Sequence, residues 1–203
     1  MSGSIGEAEV IIILGKRRYG KSTWLGKFLC NKPCLFTFDP FMKAPAEYLT
    51  DDELIARHES GWFQTTPRFS VGTRNIEDID LLSSVAFLNG NERTRPYFTI
   101  EECGVAFYTG ERISEPLQEA IFLGGHQWLS IVLVAQRAAS IPIALRSQAT
   151  RFITFLQTEK KDVEWCRDYL GDRFEELRTL DKLECLDWEN DVVTRYRINP
   201  QSN

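Results

Sequence analysis

The sequence predicts an α/β fold of three layers, a mostly parallel sheet with helices on both faces and a β-hairpin at the C-terminal end. Three observations carry this. Short apolar, β-branched runs alternate with amphipathic segments through about residue 170, the pattern of βα units around a buried parallel sheet. The first run, Val10 to Leu14, is broken by a glycine-bounded loop, Gly15 to Gly20, before a helical segment begins at Lys21. After about residue 183 the pattern changes to two strand-like runs joined by Glu189-Asn190-Asp191, which is a hairpin signature.

The elements follow in order. Val10 to Leu14 reads as a strand buried on both faces, Lys21 to Leu29 as a helix, and Cys34 to Phe38 as a second strand closed by Asp39-Pro40. Thr50 or Asp51 can cap a short helix ending at Glu59. Arg68 to Val71 is a short strand. Ile76 to Leu88 is helical, with Ile76, Ile79, Leu82, Val85 and Ala86 on its core face. Tyr97 to Ile100 is a further buried strand ending in two acids. A loop with Gly104 and Gly110 then leads to a helix over Glu115 to Leu123. Ser130 to Ala135 is the most hydrophobic strand, Pro142 can open a helix, Arg151 to Phe155 is a strand, and Lys160 to Leu170 is amphipathic. Glu184 to Trp188 and Val192 to Ile198 form the hairpin. The whole chain, 1–203, reads as one domain with a core over about 8–180, a hairpin over about 183–198 and a disordered tail over the last five residues.

Composition narrows the class. A chain of 203 residues with 43% hydrophobic content can bury about 70% of its unfolded surface. Val10 to Leu14 is far short of the ~20 apolar residues that cross a bilayer, and no signal-peptide pattern follows it, so the chain reads as soluble and cytosolic. Five scattered cysteines without a C-x-x-C pair, and two distant histidines, point to reduced thiols rather than disulfides or zinc. A net charge of −5 is unlike a basic nucleic-acid coat but leaves open a machine with a few cations on its working surface.

The chemistry sits at three places. Gly15-Lys16-Arg17-Arg18-Tyr19-Gly20-Lys21-Ser22, followed by Thr23, matches G-x-x-x-x-G-K-[ST] at every fixed position. Gly15 and Gly20 permit the backbone to curl its N–H groups around phosphate oxygens, and the helix from Lys21 aims its positive end at the same anion. Lys21 would reach the β and γ phosphates of ATP, and the Ser22 hydroxyl would ligate Mg2+. Tyr97 to Ile100 delivers Glu101 and Glu102 at its C-terminal end, where open α/β sheets place ligands. Glu101 would hold the metal, although aspartate is usual there, and Glu102 would polarise the attacking water. Gln136 and Arg137, directly after the most hydrophobic strand, form the third place: a neutral amide there can bond both the γ-phosphate and the water. Lys16, Arg17 and Arg18 could bind phosphate, touch a neighbouring subunit or stand in solvent. Together these give the fold class its specific form, a P-loop nucleoside triphosphatase of the RecA-like type.

The P-loop, the Glu101-Glu102 strand end and Ile131-Val132-Leu133-Val134-Ala135-Gln136-Arg137 resemble the FtsK–HerA superfamily of DNA-pumping ATPases. Ile141-Pro142, Leu145-Arg146-Ser147-Gln148, the strand Phe152 to Phe155 and Thr37-Phe38-Asp39-Pro40 extend the resemblance over roughly residues 8–198. Without a membrane anchor or accessory domain, the chain looks most like the genome-packaging ATPases of tailless, membrane-containing double-stranded DNA viruses. The resemblance implies an ATP- and Mg2+-dependent motor that moves double-stranded DNA into a preformed capsid, at the packaging vertex or in the host cytoplasm. It also implies capsid or portal-vertex partners and a ring, a hexamer, with an arginine supplied in trans; Arg146 is the first candidate for that arginine and Arg137 the second. Gly124-Gly125-His126 departs from relatives that carry a basic residue before the histidine. With no separate DNA-binding domain, DNA contact would fall to loops of the core, either Gly104 to Ser114 with Arg112, or Arg93 to Arg95. A Zot-like assembly ATPase, a conjugation-type pump and a nucleotide-gated binding protein without steady turnover remain as alternatives; a small-molecule kinase is disfavoured by Gln136-Arg137.

Overall fold

A computed structural model of the chain describes residues 8–107 and 113–200. Gly110 and Arg112 of the first expected DNA loop, and the tail residues 201–203, lie outside the described residues. Val10–Leu14 (β1) is flanked on both sides by parallel neighbours, Ser130–Ala135 (β6) and Arg151–Thr154 (β7). Ile11 and Ile13 pack on one face of the sheet with Trp24, Leu25 and Leu29 of Lys21–Leu29 (α1). Ile12 and Leu14 face the other way, into a core shared with Asp51–Glu59 (α2), Ile79–Leu88 (α4) and Glu115–Leu123 (α6). Burial on both faces is why this strand has no polar alternation.

The sheet continues through Tyr97–Ile100 (β5), Cys34–Phe38 (β2), Phe69–Thr73 (β4) and the two-residue strand Glu47–Tyr48 (β3). On the far side of β7 lie Glu184–Glu189 (β8) and Val192–Arg197 (β9). The order is β3-β4-β2-β5-β6-β1-β7-β8-β9, with the β7–β8 and β8–β9 pairings antiparallel and every other pairing parallel. Short helices fill the remaining connections: Trp62–Thr65 (α3), Cys103–Ala106 (α5), Ile143–Arg146 (α7), Lys160–Trp165 (α8) and Arg167–Leu170 (α9).

Local chemistry explains the boundaries. Thr50 caps α2 through a reciprocal box, its hydroxyl accepting the Glu53 N–H while the Glu53 carboxylate accepts the Thr50 N–H at 2.8 Å. Ile76, expected on a core face, is 42% exposed instead. The Asp78 carboxylate accepts hydrogen bonds from Thr73 and Asn75, each at 2.8 Å, and fixes Ile76–Asp78 as a 3₁₀ turn, outside the 3.6-residue register of α4. The amphipathic segment after Lys160 is two helices rather than one, divided at the buried Cys166. Phe155 leaves the β7 ladder after donating its N–H to Leu14 at 2.8 Å.

The hairpin turn is tighter than the sequence suggested. Glu189 pairs with Val192, leaving only Asn190 and Asp191 at the turn, at φ 50° and 60°. Two successive positive φ values are what a type I′ turn requires, and the right-handed twist of the strands favours it. The hairpin is bound to the rest by a polar chain. Arg151 forms a two-pronged ion pair with Asp187, at 3.0 and 2.6 Å. Tyr196 donates to Asp187 at 2.9 Å, and the Trp24 indole N–H donates to Tyr196 at 2.8 Å.

Asp191→Gly should remove the cost of a left-handed conformation at a non-glycine residue, about 1–2 kcal/mol. The greater unfolded-state freedom of glycine takes back about 0.4–1 kcal/mol, for a small net stabilisation. A thermal melt checks this; an unchanged or lower Tm would show that the turn is not strained.

Candidate functional site

The parallel strands all end at one edge, so the segments after β1, β5, β6 and β2 meet there. Lys21, Ser22, Thr23, Glu101, Glu102 and Gln136 line a single cleft of about 470 Å³. The Gln136 side-chain amide donates to Glu102 at 3.1 Å. The three places that the sequence singled out are thus one site, as parallel β1, β5 and β6 require.

The loop between β1 and α1 is built on Phe155. A Cβ at Gly15 would stand 2.6 Å from the Phe155 Cβ, and one at Gly20 would stand 2.7 Å from its ring. Gly20 also sits at φ 130°, which L-residues rarely adopt. The Gly15 N–H donates to Ala135 at 3.2 Å and the Lys16 N–H to Leu156 at 3.0 Å, so both neighbouring strands hold the loop. The Lys21 ammonium folds back to donate to the Gly15 carbonyl at 2.6 Å. Burial lowers its pKa to about 8, against a smaller raising effect of Glu102. Lys16, Arg17 and Arg18 are exposed; Arg17 and Arg18 line the cleft, and Arg18 stands at φ 68°. The half-buried Tyr19 packs against the core.

On the acidic wall, burial raises the Glu101 pKa to about 7, and Asp39 and Glu102 add repulsion that Lys43 partly offsets. Asp39 is buried, and its carboxylate accepts the N–H groups of Phe41 at 2.9 Å and Ala44 at 2.8 Å, that of Lys43, and the Tyr48 hydroxyl at 3.2 Å. It therefore folds the loop that brings Phe41 and Lys43 to the cleft.

A hard divalent cation suits this donor set. Ser22 and Glu101 offer oxygen on one wall, and the crowding of Glu101 by Asp39 and Glu102 is negative charge that a cation would relieve. Mg2+ in such sites takes one or two protein ligands and shares the rest with phosphates and water.

The two arginines expected to act in trans do not line this cleft. Arg137 pairs with the buried Asp162 at 2.6 Å, and that carboxylate also accepts the Ala138 N–H at 3.0 Å. Arg146 donates to the carbonyls of Ile141 and Ala138 at 3.2 and 3.3 Å and lies 4.9 Å from the centre of the Trp165 ring. Within one chain, both hold the loop between β6 and β7 in place. Arg93 to Arg95 lies before β5, at the edge of the sheet opposite the cleft. Lys43, Lys182 and Leu183 join the cleft without having been singled out in the sequence. Only Asp39-Pro40 hinted at the first; the other two arrive through tertiary folding alone.

Comparison with solved structures follows this geometry. The genome-packaging NTPase B204 of Sulfolobus turreted icosahedral virus 2, solved with AMPPCP, superposes with a TM-score of 0.76 over 96% of this chain and 100% of that one, at 15% identity. The chain has the fold of a viral packaging NTPase. VirB4 of Thermoanaerobacter pseudethanolicus follows with a TM-score of 0.62 over 98% of this chain and 91% of that one, at 10% identity. The N-terminal domain of zonular occludens toxin from Neisseria meningitidis reaches 0.51 over 96% and 95%, at 15% identity. No family model matches the chain, and no curated protein does. Among the described residues no helix is long and apolar enough to cross a membrane.

The raised pKa of Glu101 gives a test in the ligand-free protein. A carboxyl near 7 when folded and near 4.5 when unfolded favours folding at low pH and loses that contribution as pH rises from about 4.5 through 7. Glu101→Gln should therefore raise Tm relative to wild type at pH 8 and have little effect at pH 4.5. An equal effect at both values would mean that ionisation of Glu101 carries no cost in the fold.

Proposed function

We propose that this protein is an Mg2+-dependent ATPase that works as a viral genome-packaging motor, moving double-stranded DNA into a preformed capsid. The observation that carries the reading is the Gln136–Glu102 hydrogen bond inside the cleft that also holds Lys21 and Ser22. Phosphate cradle, acid and amide thereby border one cleft, where a single triphosphate would meet all three. The likeness to B204, stronger than that to VirB4 or the zonular occludens toxin domain, supports packaging over the other DNA-pump readings.

Each residue has a task that follows from its place. The N–H groups of the loop and of the first turn of α1 receive the phosphates. Lys21 exchanges the Gly15 carbonyl for the β and γ phosphate oxygens, and that anion restores the ammonium pKa that burial has lowered. Ser22 and Glu101 would hold Mg2+, which would supply neutralisation of the phosphate charge when bound. Glu102 accepts a proton from the attacking water. Gln136 turns its amide from Glu102 to the γ-phosphate, so the carboxylate becomes available when a triphosphate is present.

Work on DNA calls for a ring, a hexamer by the resemblance, with an arginine from the next subunit completing the site. Arg137, 54% exposed, is better placed to be offered outward than Arg146. Leaving Asp162 would cost it a short ion pair with a buried carboxylate, so the exchange would require a competing anion.

Glu102→Gln should reduce ATP turnover by two orders of magnitude or more, of the size associated with general-base catalysis, while ATP binding by calorimetry is retained. Turnover at the wild-type rate would overturn the role of Glu102. Lys21→Ala should lose triphosphate affinity. Double-stranded DNA should stimulate the wild-type ATPase, with a mass measurement reporting a ring; a monomer without DNA stimulation would count against the motor.

A further inference from the structure

We propose that the turn Asp181–Glu184, which leads into the C-terminal hairpin, is the nucleoside side of the ligand site. Lys182 pairs with the α-phosphate and Leu183 walls the ribose and base. The inference rests on the nucleotide reading above and gives the ligand a direction in the cleft.

The strand order sets that direction. Along the edge of the sheet, Glu101 and Glu102 follow β5, Gln136 follows β6, the phosphate loop follows β1, and Leu183 precedes β8. The reacting γ-phosphate belongs with Glu102 and Gln136. A nucleotide laid across the loop therefore extends its other end past Gly20 and Thr23, towards β8. Lys182 and Leu183 line the cleft there.

The turn is held firmly at that position. The Glu184 N–H donates to the Asp181 carbonyl at 3.0 Å, closing a β-turn with Lys182 and Leu183 at its centre. The Leu183 N–H donates to the Tyr19 carbonyl at 2.9 Å, and the Leu183 carbonyl accepts from Ile198 at 2.8 Å. The backbone of Leu183 lies so close to the loop that a Cβ on Gly20 would stand 3.3 Å from the Leu183 Cα. Leu183 is kept at φ 68°, a conformation that costs a branched residue energy and persists where the surroundings impose it. The flanking carboxylates are occupied elsewhere, Asp181 with Arg197 at 2.8 Å and Glu184 with Arg195 at 2.9 Å. The exposed Lys182 lines the cleft between these two occupied carboxylates.

The hairpin thereby becomes part of the nucleotide site. Calorimetry on the full chain with ATP and with inorganic pyrophosphate, which lacks the third phosphate, the ribose and the base, tests this. Lys182→Ala should weaken ATP about tenfold, the worth of one charge-assisted hydrogen bond, and leave pyrophosphate unchanged; Lys182→Arg should restore most of the loss. Leu183→Gly, whose glycine accepts the backbone conformation, should likewise weaken ATP alone. Unchanged ATP affinity in both variants, or equal losses of ATP and pyrophosphate, would overturn the assignment. Wild-type protein that binds pyrophosphate, with loss of binding in Lys21→Ala, keeps the phosphate loop standing whichever way the turn behaves.

Discussion

The site depends on the close approach of Phe155 to the loop between β1 and α1. Two glycines abut this one side chain, leaving room for hydrogen where any other residue would place a carbon. Because β1 lies between β6 and β7, the loop is gripped from both sides, by Ala135 and by Leu156. A loop supported in this way needs little reorganisation to receive an anion, and preorganised N–H groups are worth more than ones that must first be ordered. The parallel register does the rest. Ile100 is level with Leu133 and Leu14 with Ala135, so the residues after each strand emerge at nearly the same height.

Charge in the cleft is unbalanced on both walls. The ammonium of Lys21 is desolvated and borrows a carbonyl from its own loop, while Glu101 is held against Asp39 and Glu102. These are opposite penalties with one remedy: a phosphate anion satisfies the first, and a divalent cation the second. Both departures are of the kind that clusters where charged ligands bind. The Glu102–Gln136 contact is a single hydrogen bond, available for exchange when a competing acceptor arrives.

Much of this was legible in the sequence because it is local. The phosphate loop, the acids closing Tyr97–Ile100 and the amide closing Ser130–Ala135 are each fixed by a run of adjacent residues, and parallel topology brings the ends of such runs to one edge. Ile76 was misplaced because a side-chain turn around Asp78 overrides helical periodicity. Lys182 and Leu183 left no trace, since the contact of Leu183 with Tyr19 and Gly20 spans most of the chain. The self-contained partners of Arg137 and Arg146 were equally hidden: an arginine in a loop reads the same whether it waits for a neighbour or braces its own backbone.

The hairpin shows why such long-range contacts matter to the site. Its two strands lengthen the sheet at an edge remote from the acids, and by position alone they could be an appendage. The polar chain argues otherwise. Trp24, one turn into α1, donates to Tyr196 of β9; Tyr196 donates to Asp187 of β8; and Asp187 holds Arg151 of β7. Arg151 and Asp187 are largely buried, and removing one member of a buried ion pair leaves the other uncompensated at a cost of about 3–5 kcal/mol. The register of β8 against β7 is therefore strongly specified, and with it the position of the turn that precedes β8. Since that turn bonds to Tyr19 in the phosphate loop, the hairpin and the loop constrain each other from two directions, through the start of α1 and through Leu183. A displacement of either would be felt by the other, so the hairpin is a structural wall of the cleft.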